Sequence, residues 1–224
     1  MPEVILKYVL IGTAAMLLPM SVVAHKYNTH FWKSALITIY ATIMGTLSTY
    51  TWYYIEGGVF GEGVSFFGGV FLMPLAFLLA PHIFREKYKN MLDMFAPGIC
   101  MMLAVMKVQC FMSGCCAGRE LFVNAEGVAV RFPSQLAELA NGLILMAVLL
   151  IMAFRKKERG TLYPWFMVLY GITRFILNFF RVEYAEHVGF LPPYGTIWSV
   201  VSVIIGGIWL YLLSKKRAKQ TVIE

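Results

Sequence analysis

Seven apolar stretches, each close to the length of a bilayer-crossing helix, divide this chain. They occupy residues 4–24, 35–54, 64–84, 91–111, 136–154, 162–180 and 196–213. About 20 mostly apolar residues are needed to cross the hydrocarbon core as a helix. The segments between the stretches carry nearly all the charge. With 59% hydrophobic and only 14% charged residues, the chain has too few polar side chains to coat a water-soluble core. It also has too much Leu, Ile, Val and Phe for disorder. The reading is one all-α polytopic membrane domain, residues 1–224, with about seven transmembrane helices. No soluble domain, low-complexity segment or internal repeat stands out.

The positions of the cations explain the net charge of +7 without nucleic acid. On one side of the alternating connections lie Lys26, Lys33, Arg85, Lys87, Lys89, Arg155, Lys156, Lys157, Arg159, Lys215, Lys216, Arg217 and Lys219; the other side has only Arg119, Arg131 and Arg181. Lys and Arg accumulate in cytoplasmic connections, so the expected N-terminus is outside and the C-terminus cytoplasmic. A weaker reading of the basic residues is attraction to anionic lipid. The first stretch carries Glu3 and no cationic cluster. Its apolar run is long for a signal-peptide core, which argues against cleavage. The outer connections between stretches four and five, and six and seven, are the longest, and a lid or substrate-access role is expected there.

Ionisable groups inside apolar stretches are costly and mark function by default. Lys7 lies close enough to an end to snorkel. Lys107 sits in the polar run Met106-Lys107-Val108-Gln109-Cys110. Arg174 lies deepest. At 3.6 residues per turn it shares a helix face with Tyr170, Asn178 and Arg181. It needs a polar cavity or a partner, and its planar fork suits phosphate or carboxylate. The alternative is a structural pair with Glu138 or Asp93. Gln135 and Glu138 follow Pro133 on one face of the fifth helix, where Pro suits a helix start. Glu138 either holds an arginine or acts as acid or base. Asp93 reads as a cap or dipole partner for the N-terminus of the fourth helix.

The glycine-rich run 57–69, ending in Gly68 and Gly69, allows close backbone approach either to a ligand or to another helix. It lacks the Gly-Lys-Ser/Thr of a P-loop. Cys110, Cys115 and Cys116 cluster with Ser113 and Gly118 at the outer boundary. A disulfide, possible in an oxidising compartment if the chain turns at Gly114, and a thiolate nucleophile near Lys107 both remain open. Their spacing matches no common zinc site and no histidine is near in sequence, so neither metal nor cofactor is expected. His25, His30 and His82 lie near the cytoplasmic side, and His187 in an outer connection.

These elements, in this order, resemble the prolipoprotein diacylglyceryl transferase family. Gly63-Val64-Ser65-Phe66-Phe67-Gly68-Gly69 resembles the family's GG-x-SF-H-GG. Asp93 to Pro97, then Lys107 to Gly118, resembles a D…P segment followed by G-R-x-G-N-F-x-N-x-E-x-x-G. Phe132 to Glu138 resembles H-P-[ST]-Q-L-Y-E, and Tyr170 to Arg181 resembles Y-G-x-x-R-F-x-x-E-F-x-R. Pro193-Tyr194-Gly195-Thr196 stands where the family has a G-Q lead into its last helix.

The resemblance implies seven spans in the bacterial cytoplasmic (inner) membrane. It implies transfer of the diacylglyceryl group of phosphatidylglycerol to a lipobox cysteine thiol, with glycerol phosphate released. The implied partners are that phospholipid and a protein acceptor with a membrane-tethered cysteine. Arg174, Lys107, Cys110, Cys115 and Cys116 are the expected catalytic set. Gly68, Gly69, Ser113, Gly118, Gln135, Glu138, Tyr170 and Arg181 are the expected substrate-binding set. The departures are Phe67 and Phe132 for histidines, Lys107 for arginine, Cys110 for asparagine, Cys115 for glutamate and Asn178 for glutamate. The chain is also short for a large outer head domain. These departures keep two further readings open: transfer to a changed acceptor, and lipid binding or thiol redox without transfer.

Overall fold

A computed structural model describes residues 2–155, 158–182 and 193–221. His187, Lys156, Lys157 and most of the connection expected to act as a lid between the last two stretches lie outside the described residues.

Apolar composition sets the long helices, and Pro19 and Pro97 lie inside two of them without ending them. Among the described residues the helices are α1 (Pro2–Lys26), α2 (Phe31–Ile55), α3 (Phe67–Phe71), α4 (Met73–Ala76), α5 (Ala80–Phe84), α6 (Tyr88–Ser113), α7 (Ser134–Arg155), α8 (Leu162–Asn178) and α9 (Tyr194–Thr221). Six of the seven expected stretches are single helices. The third, 64–84, is instead the three short helices α3, α4 and α5. Pro74 and Pro81 sit in the first turns of α4 and α5. A proline lacks the N–H of a continuing helix and clashes with the preceding turn, so each starts a new helix.

Among the described residues, four helices are long and apolar enough to cross a membrane: Val9–Lys26, Tyr88–Ser113, Ser134–Arg155 and Tyr194–Lys219. Helix α2 has the length, at 25 residues, but carries a polar stripe; α8 has 17 residues. The stripe satisfies itself: the Thr38, Thr42 and Thr46 hydroxyls donate to the carbonyls one turn back, at 2.8–2.9 Å. Without such partners each buried hydroxyl would cost roughly 1–3 kcal/mol.

The polarity runs opposite to that of a water-soluble protein. Ser34, Thr38, Ser199 and Ser202 are fully buried, while Leu18, Leu36, Ile144, Ile151, Ile204 and Leu212 face outward. An apolar exterior over a partly polar interior is what a lipid solvent favours. Helix α6 packs against α1, α7 and α8, and α9 packs on α8. Glycine allows the closest of these contacts: a Cβ on Gly171 would lie 2.7 Å from the Ser199 carbonyl oxygen.

The connection between α6 and α7 holds a small exposed hairpin, β1 (Glu120–Val123) and β2 (Ala129–Arg131), paired antiparallel. Asn124 forms its turn by accepting from the Glu126 and Val128 amides at 3.1 and 2.8 Å.

Candidate functional site

Three helices and the turn after α8 bring three cations onto one carboxylate. Glu138, one turn into α7, accepts from Arg174 of α8 and from Arg181, both at 2.6 Å through Oε1; Lys107 of α6 reaches Oε2 at 2.8 Å. None of the four side chains is more than 13% exposed. Arg181 is held in place by its backbone. Its amide donates to Asn178 O at 3.1 Å, Arg181 itself forms a bridge with Gly118, and the Arg119 amide donates to Phe180 O at 2.9 Å.

This cluster carries a formal excess of two positive charges. Burying charge without full compensation costs several kcal/mol per ion, and an anionic ligand removes that cost. Arg174 Nε is buried and has no hydrogen-bond partner among the described residues, so one arm of its fork remains free for an acceptor.

The cluster lines a cavity of about 660 Å³. Lys107, Cys110, Cys116, Glu138, Tyr170, Arg174 and Arg181 all lie on its wall, so the structure brings together seven of the expected residues. Gly68, Gly69, Cys115, Ser113, Gly118 and Gln135 are not on that wall. Gly68 packs instead on α2, where a Cβ would sit 2.0 Å from Ser48 O. Gly69 O accepts from Tyr163 Oη at 3.1 Å. Gly118 is closed off by Phe132 O, 2.1 Å from where its Cβ would be. Gln135 Nε2 donates to Cys115 O at 2.7 Å and Ser134 Oγ to Cys116 O at 2.6 Å, so this end of α7 holds the cysteine loop in place. Asn178 turns away and packs on Gly195.

Phe67, buried, stacks near Phe71 and Tyr170; its position on the wall supplies no proton carrier. Glu56, Tyr53 and Ser65 also line the cavity, with Ser65 Oγ donating to Glu56 at 3.1 Å. Sequence reasoning passed over Glu56. The available signal was a carboxylate directly ahead of the glycine run, at the end of an apolar stretch. The glycines serve packing here: a Cβ on Gly58 or Gly63 would strike the Tyr53 ring.

Asp93 caps a neighbouring helix, not its own. From inside α6 it accepts from the Gly160 and Leu162 amides at the start of α8, at 2.5 and 2.9 Å, and from Tyr27 Oη at 2.8 Å. It is far from pairing with Arg174, whose partner is Glu138.

The cysteine sulfurs of Cys110, Cys115 and Cys116 lie within 4.8 Å of one another. Cys116 has a left-handed backbone, φ 58°. A hydrogen bond from Cys110, with Lys107 and Arg181 nearby, pulls its thiol down to about 5 against the opposing effect of burial.

Helices with an apolar exterior around a buried, cation-rich cavity define a multi-pass membrane protein. Residues 4–213 match the sequence model of the prolipoprotein diacylglyceryl transferases, and the chain belongs to that family. It is similar to the phosphatidylglycerol–prolipoprotein diacylglyceryl transferase of Idiomarina loihiensis, 34% identical over 183 residues, 75% of this chain and 64% of that one. It is similar also to the enzyme of the same name from Polaromonas naphthalenivorans, 28% identical over 174 residues, 72% of this chain and 64% of that one. The phosphatidylglycerol–prolipoprotein diacylglyceryl transferase 2 of Clostridium perfringens is 25% identical over 171 residues, 72% of this chain and 66% of that one. The chain thus spans just under two thirds of the length of these relatives.

Proposed function

We propose that this chain moves the diacylglyceryl group of phosphatidylglycerol to the cysteine thiol of a membrane-tethered lipoprotein precursor. The observation that carries this reading is the convergence of Lys107, Arg174 and Arg181 on a single carboxylate at the cavity wall. The acceptor sulfur, its thiol proton given up to water, attacks the glyceryl carbon. A C–S bond forms as the C–O bond to phosphate breaks, and its electron pair stays on the departing glycerol phosphate. The phosphate passes from one negative charge toward two. Cations already in place therefore gain more in the transition state than in the ground state, which is what accelerates a reaction. Arg174, with its unpartnered Nε, takes the central role. Glu138 holds the three cations in register and is not a proton carrier.

In this reading the chain makes seven passes, with α3–α5 as a broken third, the N-terminus outside and the C-terminus in the cytoplasm. Thirteen of the cations in the connections then face the cytoplasm and three the outside, in a bacterial cytoplasmic membrane. The lipid enters sideways from the bilayer and the acceptor arrives on its own helix.

A second reading keeps the lipid pocket but changes the acceptor. The observation favouring it is three thiols gathered at the same cavity edge.

The test uses purified protein in nanodiscs containing labelled phosphatidylglycerol, with a lipobox peptide bearing one cysteine. A mass gain of one diacylglyceryl unit is expected. Arg174→Ala should cut its rate by about 10²–10³-fold, the usual effect of removing one donor to a developing oxyanion. No gain beside a working control enzyme sinks the first reading; full activity in Arg174→Ala overturns the role given to Arg174.

A further inference from the structure

The cavity has an acceptor-side problem. Among its described wall residues there is no histidine. Its two carboxylates are committed: Glu138 to three cations and Glu56 to Ser65. An attacking thiol needs some other route to thiolate.

The cysteine loop offers one. Helix α6 ends at Gly114 in the left-handed region, φ 70°, and Cys116 follows at φ 58°. A non-glycine residue is rarely held there and persists only when its surroundings enforce it. Here the Cys115 amide donates to Cys110 O at 3.2 Å, and Ser134 and Gln135 bind the next two carbonyls. The turn folds three sulfurs to within 4.8 Å of one another. Around a zinc ion with Zn–S bonds of about 2.3 Å, tetrahedral sulfurs stand about 3.8 Å apart. Closing that gap takes shifts of about an ångström or less, and rotations about χ1 supply them.

Cys110 and Cys116 line the cavity while exposed Cys115 does not, so the cluster forms part of the cavity's edge. Three thiolates around a divalent ion carry one net negative charge. Lys107 and Arg181 stand on the same cavity wall as Cys116 and offset that charge. Ser113 Oγ lies 3.3 Å from Cys115 Sγ and can donate to it.

We propose that Cys110, Cys115 and Cys116 bind one borderline-soft divalent metal ion of the zinc class. Its fourth position opens to the cavity and takes the acceptor thiol of the transfer reaction. This rests on the transferase reading above. On coordination the acceptor thiol releases its proton to water, as thiols bound to such ions do. Its sulfur then forms the C–S bond while the C–O bond breaks onto the glycerol phosphate. The thioether product is a weaker ligand than a thiolate and leaves the ion. Linear spacing hides this site because its ligands are a helix end and a turn brought together by two left-handed residues.

The test is a cobalt(II) titration of the full chain, purified in detergent under a phosphine reductant and stripped with EDTA. Thiolate-to-cobalt charge-transfer absorption saturating at one ion per chain is expected. It should be lost in Cys115→Ser and kept in Cys100→Ala, whose cysteine lies buried elsewhere on α6. A lipobox peptide with its cysteine should shift the ligand-field bands, and the serine version of the peptide should not. Absence of cobalt binding, with peptide transfer intact in EDTA, overturns the metal site and leaves the transferase reading standing. Cobalt binding with no response to the cysteine peptide overturns the open fourth position. Cobalt binding with that response, but no transfer from labelled phosphatidylglycerol, supports the metal site and overturns the transferase reading.

Discussion

Two carboxylates buried in helices of the same bundle behave in opposite ways. Asp93 and Glu138 are 0% and 3% exposed. Asp93 is surrounded by neutral donors: two amides at the start of α8 and the Tyr27 hydroxyl. It closes the junction of α1, α6 and α8 and leaves nothing over. Glu138 is surrounded by three full cations and leaves positive charge over. The first is a completed structural joint; the second is a half-built ion cage. Burial alone does not distinguish a structural acid from a site acid. The charge balance of its partners does.

The largest effect expected from breaking this contrast is at Glu138. Glu138→Gln leaves three buried cations with no anion, and breaking a buried ion pair typically costs about 3–5 kcal/mol. Thermal unfolding in detergent should fall accordingly. Inorganic phosphate should raise the melting temperature of the Gln variant more than that of the parent, because an anion refills the cage. An equal response in both would mean that the excess charge is not a phosphate site.

Asp93→Asn sharpens the comparison from the other side. It removes a charged acceptor from two amides and a hydroxyl, and hydrogen bonds to a charged group are worth about 1.5–3 kcal/mol. The melting temperature should drop, while the KM for phosphatidylglycerol and kcat of the folded fraction stay unchanged. A rise in KM would tie the α8 joint to the lipid site and erase the distinction.

Much of this was legible in the sequence. Helix periodicity put Tyr170, Arg174 and Arg181 together, and all three line the cavity. Arg174 in an apolar stretch required a partner, and of the two candidates the fold chose Glu138. Other features depend on distances across the bundle that no local pattern encodes. Apolar character alone read 64–84 as one span, yet Pro74 and Pro81 divide it. Gly68 and Gly69 read as ligand contacts because glycine permits both backbone binding and close packing; only the position of Ser48 decides for packing at Gly68. Asp93 read as a partner of its own helix terminus because the start of α8, 67 residues away in sequence, is not visible from α6. The meeting of the cysteine sulfurs depended on two left-handed residues, one of them not a glycine.

The smallest expected effect discriminates most finely. Lys107 and Arg174 both reach Glu138, but an ammonium is a point charge and a guanidinium a planar fork that can serve two acceptors at once. If Lys107 faces the phosphate as well as Glu138, Lys107→Arg should lower the KM for phosphatidylglycerol by less than about tenfold, the scale of one added hydrogen bond net of the hydration it replaces. The kcat should not fall, because a cation facing the phosphate gains at least as much in the transition state as in the ground state. If Lys107 serves Glu138 alone, the substitution should shift the melting temperature and leave KM where it was. Steady-state kinetics over a series of phosphatidylglycerol fractions in nanodiscs, beside a melt of the same preparation, separates the two. An unchanged KM would take Lys107 out of the cage and leave the phosphate to Arg174 and Arg181.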